Sequence, residues 1–260
     1  MPNAESPLIT LTTDFGLDDF YVGTMKGAIL RHCPSATVVD ITHVVPRHDV
    51  LFGAIMLERA VAAFPENTVH LAVVDPGVGT DRRMLITRWG GQTAVCPDNG
   101  LITWAWRRRE LAQLWELTWR PKSASHVFHG RDIMGPAAAM LAAGTPIEQI
   151  ASRCDAPVLL DAAPATDLAG GGRIIHIDRF GNATTNVPAS LSSGTVSVVV
   201  GGRDVGAIRT TYAAVAQGEP LALIGSSDLL EIAVREGSAA EAMKLKIGDS
   251  VNFVVSGAAH

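Results

Sequence analysis

Cysteine is scarce in this chain: Cys33, Cys96 and Cys154 are the only three in 260 residues, odd in number and far apart. Such spacing excludes a disulfide framework and a cysteine-based zinc site. Each reads as a small buried hydrophobe rather than a nucleophile. No apolar run approaches the ~20 residues needed to cross a bilayer. The N-terminus, MPNAESPLITLTTDFG, lacks a basic segment followed by an apolar core, so no signal peptide is read there. The expected location is cytoplasmic, with no membrane partner. Clustered cations are missing too: the longest Lys/Arg run is Arg107-Arg108-Arg109, and Lys+Arg 21 against Asp+Glu 26 leaves a net charge of -5. A duplex-binding surface needs clustered cations to displace phosphate counterions, so nucleic acid is not an expected partner. Internal repeats and low-complexity tracts are also absent.

What is present is a globular composition, 47% hydrophobic and 18% charged. The first part alternates strand and helix signals. Leu8–Thr13 is a β-rich run ending in the polar turn Asp14-Phe15-Gly16-Leu17-Asp18-Asp19. Tyr21–Arg31 has helical periodicity, with Val22, Met25, Ile29 and Leu30 on one face. Thr37–Thr42 reads as a second strand, Val50–Phe64 as a second helix with Ile55, Leu57, Val61 and Phe64, and Thr68–Val74 as a third strand. Short Val/Ile/Leu strands separated by helices predict a Rossmann-like parallel sheet covered on both faces. Met84–Arg88 and Thr93–Cys96 are more β-like, Leu101–Arg109 is helical, and a further helix runs from about Asp132 to Ala143. All five tryptophans (Trp89, Trp104, Trp106, Trp115, Trp119) fall in this middle stretch. They read as core or subunit-interface packing rather than as a substrate platform.

Asp155–Gly172 has two prolines, many alanines and a terminal Gly170-Gly171-Gly172, and reads as a linker. Beyond it come short strands: Ile174–Ile177, Thr195–Val200, Ala207–Tyr212, Leu221–Ile224, Leu230–Val234 and Val251–Val254. Turns such as Gly201-Gly202-Arg203-Asp204 separate them. That pattern predicts a smaller antiparallel β-barrel or sandwich. The expected fold is therefore an α/β domain over 1–160, a linker over 161–172 and a β domain over 173–260.

Polar residues gather at the C-terminal ends of the predicted parallel strands: Asp14 after the first, His43 after the second, Asp75 after the third. Ligands bind at that edge of open α/β sheets because loops from several strands converge there. Asp14 suits the diol of a ribose, or equally a helix N-cap or turn. Asp75-Pro76-Gly77-Val78-Gly79 is neither a dinucleotide fingerprint nor a phosphate-binding P-loop, since the third glycine and a Gly-Lys-Ser/Thr are missing. Its glycines let the backbone approach a ligand. Arg82 and Arg83 follow it and can return to Asp75, in a functional pair or a plain ion pair. His129, before Gly130-Arg131-Asp132, is a proton acceptor, a water-positioning group or a structural hydrogen-bonder. His126 lies three residues from it, but the pair precedes the helix and lacks an acidic partner, so no metal is expected.

In the second domain Asp178-Arg179-Phe180-Gly181-Asn182 follows a strand. It can hold a purine, Phe180 stacking and Asn182 reading the heterocycle edge, or it can make a hairpin turn. Ser226, Ser227 and Glu231, in IGSSDLLEIA, form a further polar cluster.

Seven segments, TTDFGLDDFYVGTMKG, VVDITH, VVDPGVGTDRR, CPDNGL, FHGRDIMGPAAA, HIDRFGNATTN and LLEIAVREGSAAE, occur in order along nearly the whole chain. Together they resemble the S-adenosyl-L-methionine hydroxide adenosyltransferase family, relatives of the fluorinase and chlorinase enzymes. The resemblance implies a homotrimer with active sites between the N-terminal domain of one subunit and the C-terminal domain of the next. The implied reaction is S-adenosyl-L-methionine plus water giving adenosine and L-methionine, with no cofactor. Asp75, Arg82 and His129 match the family's Asp-Arg-His triad, and Asp14 its ribose-diol carboxylate. Asp178 and Asn182 match groups holding the methionine end and the adenine, with Phe180 in the same loop. Ser226 and Glu231 are counted with the substrate-binding residues.

The chemistry suits so few groups. A neutral thioether leaves from a sulfonium, so no general acid is needed, only an oriented nucleophile in line with the C5′–S bond. A carboxylate and an imidazole can hold a water and take its proton late. The halogenating relatives carry uncharged residues at the positions of Asp75 and His129, and a carboxylate at 75 repels a halide. Gly225-Ser226-Ser227-Asp228-Leu229 departs from the family's expected Asn-Ser-x-Gly-Tyr turn, which bears on contacts to the methionine. The competing readings are a halide-using adenosyl transferase, a non-catalytic adenosine or S-adenosyl-L-methionine binder, and a metal-dependent phosphohydrolase.

Overall fold

A computed structural model describes residues 6–108, 112–161, 164–165, 167, 171–191 and 195–255. The chain divides into two compact units, residues 1–161 and 162–260. Half of the 161–172 stretch read as a linker, and Arg109 at the end of a predicted helix, lie outside the described residues. Among those described, no helix is long and apolar enough to cross a membrane.

The first unit is built on a seven-stranded sheet. Its strands are β1 (Leu8–Thr13), β2 (Thr37–Thr42), β3 (Val69–Val73), β4 (Met84–Trp89), β5 (Gln92–Pro97), β6 (Gln113–Leu117) and β7 (Ala151–Arg153), in the order β2-β1-β3-β5-β4-β6-β7. Strands β2, β1, β3 and β5 run parallel, as the βα alternation predicts, but β4, β6 and β7 add antiparallel to one side. The sheet is thus mixed rather than wholly parallel. The cause is visible at Gly90-Gly91, which joins β4 to β5 with both residues at positive φ (50° and 81°). A two-residue connection of that hand makes a hairpin and cannot make the crossover that parallel neighbours require.

Alternation along the central strands covers both faces. Leu71 and Val73 pack with Met25, Ile29 and Met134 on one side, while Ala72 and Val74 pack with Leu57, Val61 and Leu101 on the other. Helix α1 (Tyr21–His32) and α4 (Gly135–Ala142) cover the first face; α2 (Val50–Ala63) and the short α3 (Thr103–Arg107) cover the second. Asp49 caps α2 by accepting from the Phe52 amide at 2.9 Å. One residue expected inside α1 is not: Leu30 is 43% exposed, and Ala28 is buried in its stead. Leu30 lies a full 100° round the helix from Ile29, whereas Ala28 follows Met25 by three residues and stays on its face. Of the tryptophans, Trp89, Trp104 and Trp115 are buried in this unit's core.

The second unit is an eight-stranded sheet in the order β11-β10-β15-β8-β9-β14-β13-β12. The strands are β8 (Gly172–Ile177), β9 (Ala183–Pro188), β10 (Thr195–Val200), β11 (Arg203–Gly206), β12 (Ile208–Arg209), β13 (Pro220–Ile224), β14 (Leu229–Val234) and β15 (Ser250–Val255), with one short helix, α5 (Ala239–Met243). All pairings are antiparallel except β12 with β13. The two ends of the sheet come together, β10 near β12 and β11 near β13, so it is nearly closed around Ile174, Val187, Val198 and Ile232. Three details differ from expectation. Strand β9 falls where no strand is expected. Of the stretch 207–212 only Ile208–Arg209 is a strand, and Arg203-Asp204, read as turn, begins β11. Charged residues on a strand at the end of a sheet mask the apolar signal that marks an inner strand.

Leu71 sits at the middle of β3, fully enclosed, between β1 and β5. Leu71→Ala should lower unfolding free energy by about 2–5 kcal/mol in urea titrations with an unchanged slope against denaturant.

Candidate active site

Three parallel strands end at one edge, and the loops leaving them supply the site. Asp75 stands two residues past β3. The loop after it turns at Asp75–Val78 and Gly77–Thr80 through backbone hydrogen bonds of 3.2 and 3.1 Å, bringing Arg82 back. Arg82 Nε donates to Asp75 Oδ1 at 2.6 Å, and its Nη2 donates to Oδ2. This is the fork-on-fork arrangement in which a guanidinium fixes a carboxylate in plane. The same Nη2 lies 3.2 Å from His129 Nδ1. Both side chains of the ion pair are more than nine-tenths buried, so solvent screens it little.

A guanidinium has only donors. Nδ1 of His129 therefore accepts, and the ring proton sits on Nε2, an assignment made from the hydrogen-bond pattern. Burial, followed by the nearby Arg82 cation, pushes the His129 pKa below its ordinary value, which keeps the ring neutral near pH 7. His129 itself stands at the head of a π-helical turn, Gly130–Met134, closed by the Gly135 amide bonding back to the Gly130 carbonyl. Gly130 packs against Phe15 and Val73, close enough that a Cβ there would lie 3.3 Å from each.

Asp14, Asp75 and His129 line one cavity of about 470 Å³ in this unit. Asp14 does not cap a helix: α1 begins at Tyr21 without a side-chain cap. Its Oδ2 instead accepts from the His48 amide at 2.9 Å, leaving Oδ1 toward other partners. Phe15, Tyr21 and Phe128 form an aromatic cluster on the cavity wall, Phe128 edge-on to the other two, with centroid separations of 5.4 to 6.1 Å. These rings were not singled out in the sequence; TTDFGLDDFY carried them in plain view, but only the fold shows that Phe128 joins them.

Arg83 takes no part. Its Nε and Nη2 donate to Asp98 Oδ2 at 2.8 and 2.6 Å, and Nη2 also reaches the Ala156 carbonyl at 2.7 Å. Of the two neighbouring arginines, Arg82 is thus the one on Asp75. His126 lines neither this cavity nor a metal cluster: among the described residues no three His, Cys, Asp or Glu side chains gather closely enough to hold an ion.

In the second unit the loop between β8 and β9 is held by Asp178. Its Oδ1 accepts from the amides of Phe180 (2.8 Å) and Asn182 (2.9 Å), and Oδ2 accepts from Asn182 Nδ2 at 3.2 Å. Asp178 therefore builds a hairpin loop that lifts Phe180 into solvent, 71% exposed. Phe180 and Asn182 line a second cavity of about 380 Å³ together with Tyr212, Glu236 and Gly237, none of which was singled out in advance. Glu231, on β14, accepts from the Tyr212 hydroxyl at 2.6 Å. Burial and that bond push the Tyr212 pKa up to about 12, so the phenol stays protonated. Ser226 is exposed on the β13–β14 turn.

The two halves of the chain each match a described family. Residues 9–151 match the SAM hydroxide adenosyltransferase N-terminal domain and residues 172–252 the SAM hydroxide adenosyltransferase C-terminal domain. The chain belongs to the SAM hydroxide adenosyltransferase family. It is 41% identical to the (R)-S-adenosyl-L-methionine hydrolase of Thermus thermophilus over 93% of this chain and 97% of that one. It is 28% identical to a fluorinase of Nocardia brasiliensis over 71% of this chain and 72% of the fluorinase. A solved structure of an uncharacterized conserved protein from Thermotoga maritima is similar at TM-score 0.86 and 35% identity, covering 95% of this chain and 100% of that chain.

Gly79, in the loop that returns Arg82 to Asp75, has φ +84°, and a Cβ there would sit 2.8 Å from the His126 carbonyl oxygen. Gly79→Ala should cost about 1–3 kcal/mol of stability and lower activity beyond what the lost folded fraction explains, measured by urea unfolding beside turnover.

Proposed function

We propose that this chain is an enzyme hydrolysing S-adenosyl-L-methionine to adenosine and L-methionine. Its family supports that chemistry, and relatives such as the (R)-S-adenosyl-L-methionine hydrolase of Thermus thermophilus support the (R) sulfonium epimer as substrate. The observation that carries the reading is one guanidinium holding both Asp75 and His129 at the wall of a cavity that also contains Asp14.

In this reading Asp14 binds the ribose diol and C5′ lies toward Asp75 and His129. A water attacks C5′ in line with the C5′–S bond; the carbon–oxygen bond forms as the carbon–sulfur bond breaks, and the electron pair stays on the departing thioether. Methionine leaves neutral at sulfur, so no acid is required. Since the Nδ1 lone pair is taken by Arg82, the imidazole acts as a donor through Nε2–H, and Asp75 accepts the water's proton. That refines the expectation that carboxylate and imidazole share the proton. Transfer comes late, because the oxonium formed on C–O bonding is far more acidic than a carboxylic acid. Orientation of a bound water is worth up to about 7–11 kcal/mol of barrier when the geometry is near attack. Neither a metal nor a cofactor has a role in these steps.

Phe180 and Tyr212, with Asn182, offer aromatic faces and an amide for adenine, while Asp178, Ser226 and Glu231 are assigned to the substrate's remaining polar groups. The family resemblance supports a cytoplasmic homotrimer in which these residues come from a neighbouring copy; sedimentation velocity tests the trimer.

Chromatography of the protein with S-adenosyl-L-methionine should show adenosine and methionine in equal amounts, unchanged by EDTA. Asp75→Asn and His129→Ala should each slow turnover by ~10²-fold or more. A 5′-haloadenosine appearing only with chloride, or tight binding without product, would sink the reading.

The pH dependence has a definite sign. The neutral imidazole is the working form, and its pKa is lowered by burial and by Arg82. Activity should be flat near pH 7 and fall with acid, the kcat/KM midpoint lying below the 6.5 of an ordinary histidine. Removing the cation in Arg82→Gln should move whatever acid limb survives upward.

A further inference from the structure

His43, just past the end of β2, belongs to no step above, yet it is buried with a polar group close to each ring nitrogen. Thr13 Oγ1 lies 2.7 Å from His43 Nδ1, and the Phe15 amide donates to the same Oγ1 at 3.3 Å. On the far side His43 Nε2 lies 3.0 Å from Asp40 Oδ1, and Lys26 Nζ lies 2.6 Å from Asp40 Oδ2. The directions fit one another. A carboxylate has only lone pairs to offer, so the imidazole proton stands on Nε2, which faces Asp40 Oδ1, and Nδ1 accepts from the Thr13 hydroxyl. Asp40 accepts from Lys26, while His43 Nε2 meets Asp40 as a close polar contact without a hydrogen bond's alignment.

The chain of contacts ends on both sides of one residue. Thr13 and Phe15 flank Asp14, and two backbone bonds, Gly16 N–H to the His43 carbonyl at 2.8 Å and Val45 N–H to the Thr13 carbonyl at 3.3 Å, tie the same turn to the segment after β2. That segment continues to His48, whose amide holds the Asp14 carboxylate itself. We infer that Thr13, His43 and Asp40 are positioning residues that hold the Asp14 carboxylate in register with the ribose diol. The inference rests on the reading of Asp14 as the diol's partner.

Thr13 is enclosed with no accessible surface, so it is neither a nucleophile nor a ligand, and it acts only through the turn. A purely structural bond between two buried polar groups would affect stability alone. The positioning role instead moves ribose recognition. The contacts lead outward to Lys26 and Asp40, both partly solvated, where a change can be made without opening the core.

The test compares adenosine with 2′,3′-dideoxyadenosine by titration calorimetry, beside steady-state kinetics with S-adenosyl-L-methionine. Wild type should prefer adenosine. Thr13→Val, which keeps the shape and removes the hydroxyl, should lose about tenfold of that preference, the size of one hydrogen bond. Its KM should rise more than its kcat falls, and Thr13→Ser should restore both. Asp40→Ala should act in the same direction by a smaller factor, and stands in for Thr13→Val should that variant fail to fold. Variants that fold and discriminate the two nucleosides as wild type does would remove the relay while leaving the Asp14 reading intact. A wild type indifferent to the diol would remove both.

Discussion

Arg82 has hydrogens to give and no atom with which to receive one, and much of the site follows from that. Both oxygens of Asp75 are fixed by its Nε and Nη2, and the Nδ1 of His129 must turn its lone pair toward the guanidinium. One side chain thus sets the plane of a carboxylate, the tautomer of an imidazole and the protonation state of that imidazole. Burial makes the arrangement strict, because a water-exposed guanidinium could exchange either partner for solvent at little cost. The enclosed pair cannot.

The fold supplies what Arg82 needs. The parallel strands β1 and β3 deliver Asp14 and Asp75 to one edge, and α4 with its π-helical first turn delivers His129 opposite them. A π-turn carries one residue more per loop than an α-turn, so the residues before it are displaced from the path of an ordinary helix. Here the displaced end is the one that holds His129. The antiparallel strands β4, β6 and β7 contribute no cavity residue; they extend the sheet and carry part of the tryptophan-rich core.

Much of this was legible beforehand. Continuous apolar strands and 3.6-residue periodicity placed β1, α1, β2 and α2 to within a residue or so; β1, α1 and α2 are buried on a face that their sequences advertise, and the edge strand β2, only partly covered, still carries a β-branched run. The hairpin at Gly90-Gly91 is also written in the chain, as two adjacent glycines between two short β-rich runs. Strand β9 hid because Ala183-Thr-Thr-Asn186 is polar by composition although buried in place. Within the site, Asp75 with a following arginine was readable; which arginine, and that its guanidinium also reaches a histidine 47 residues later, depends on the third dimension. The aromatic cluster of Phe15, Tyr21 and Phe128 escaped for the same reason, as did Tyr212, whose neighbourhood with Phe180 arises only when the second sheet curls.

Arg82 and Arg83 lead away in opposite directions, one to Asp75 and the other to Asp98. Adjacent residues in extended chain alternate sides, so the spacing between Asp75 and β4 is counted in single residues. Apart from its glycines, the loop from Gly77 to Asp81 can therefore vary in composition more freely than in length. A single deletion there would present Arg83 to Asp75 with every charge conserved, and strand β4 would then have to accept the opposite face. Insertions and deletions in this segment are the changes that descent and design alike should find closed.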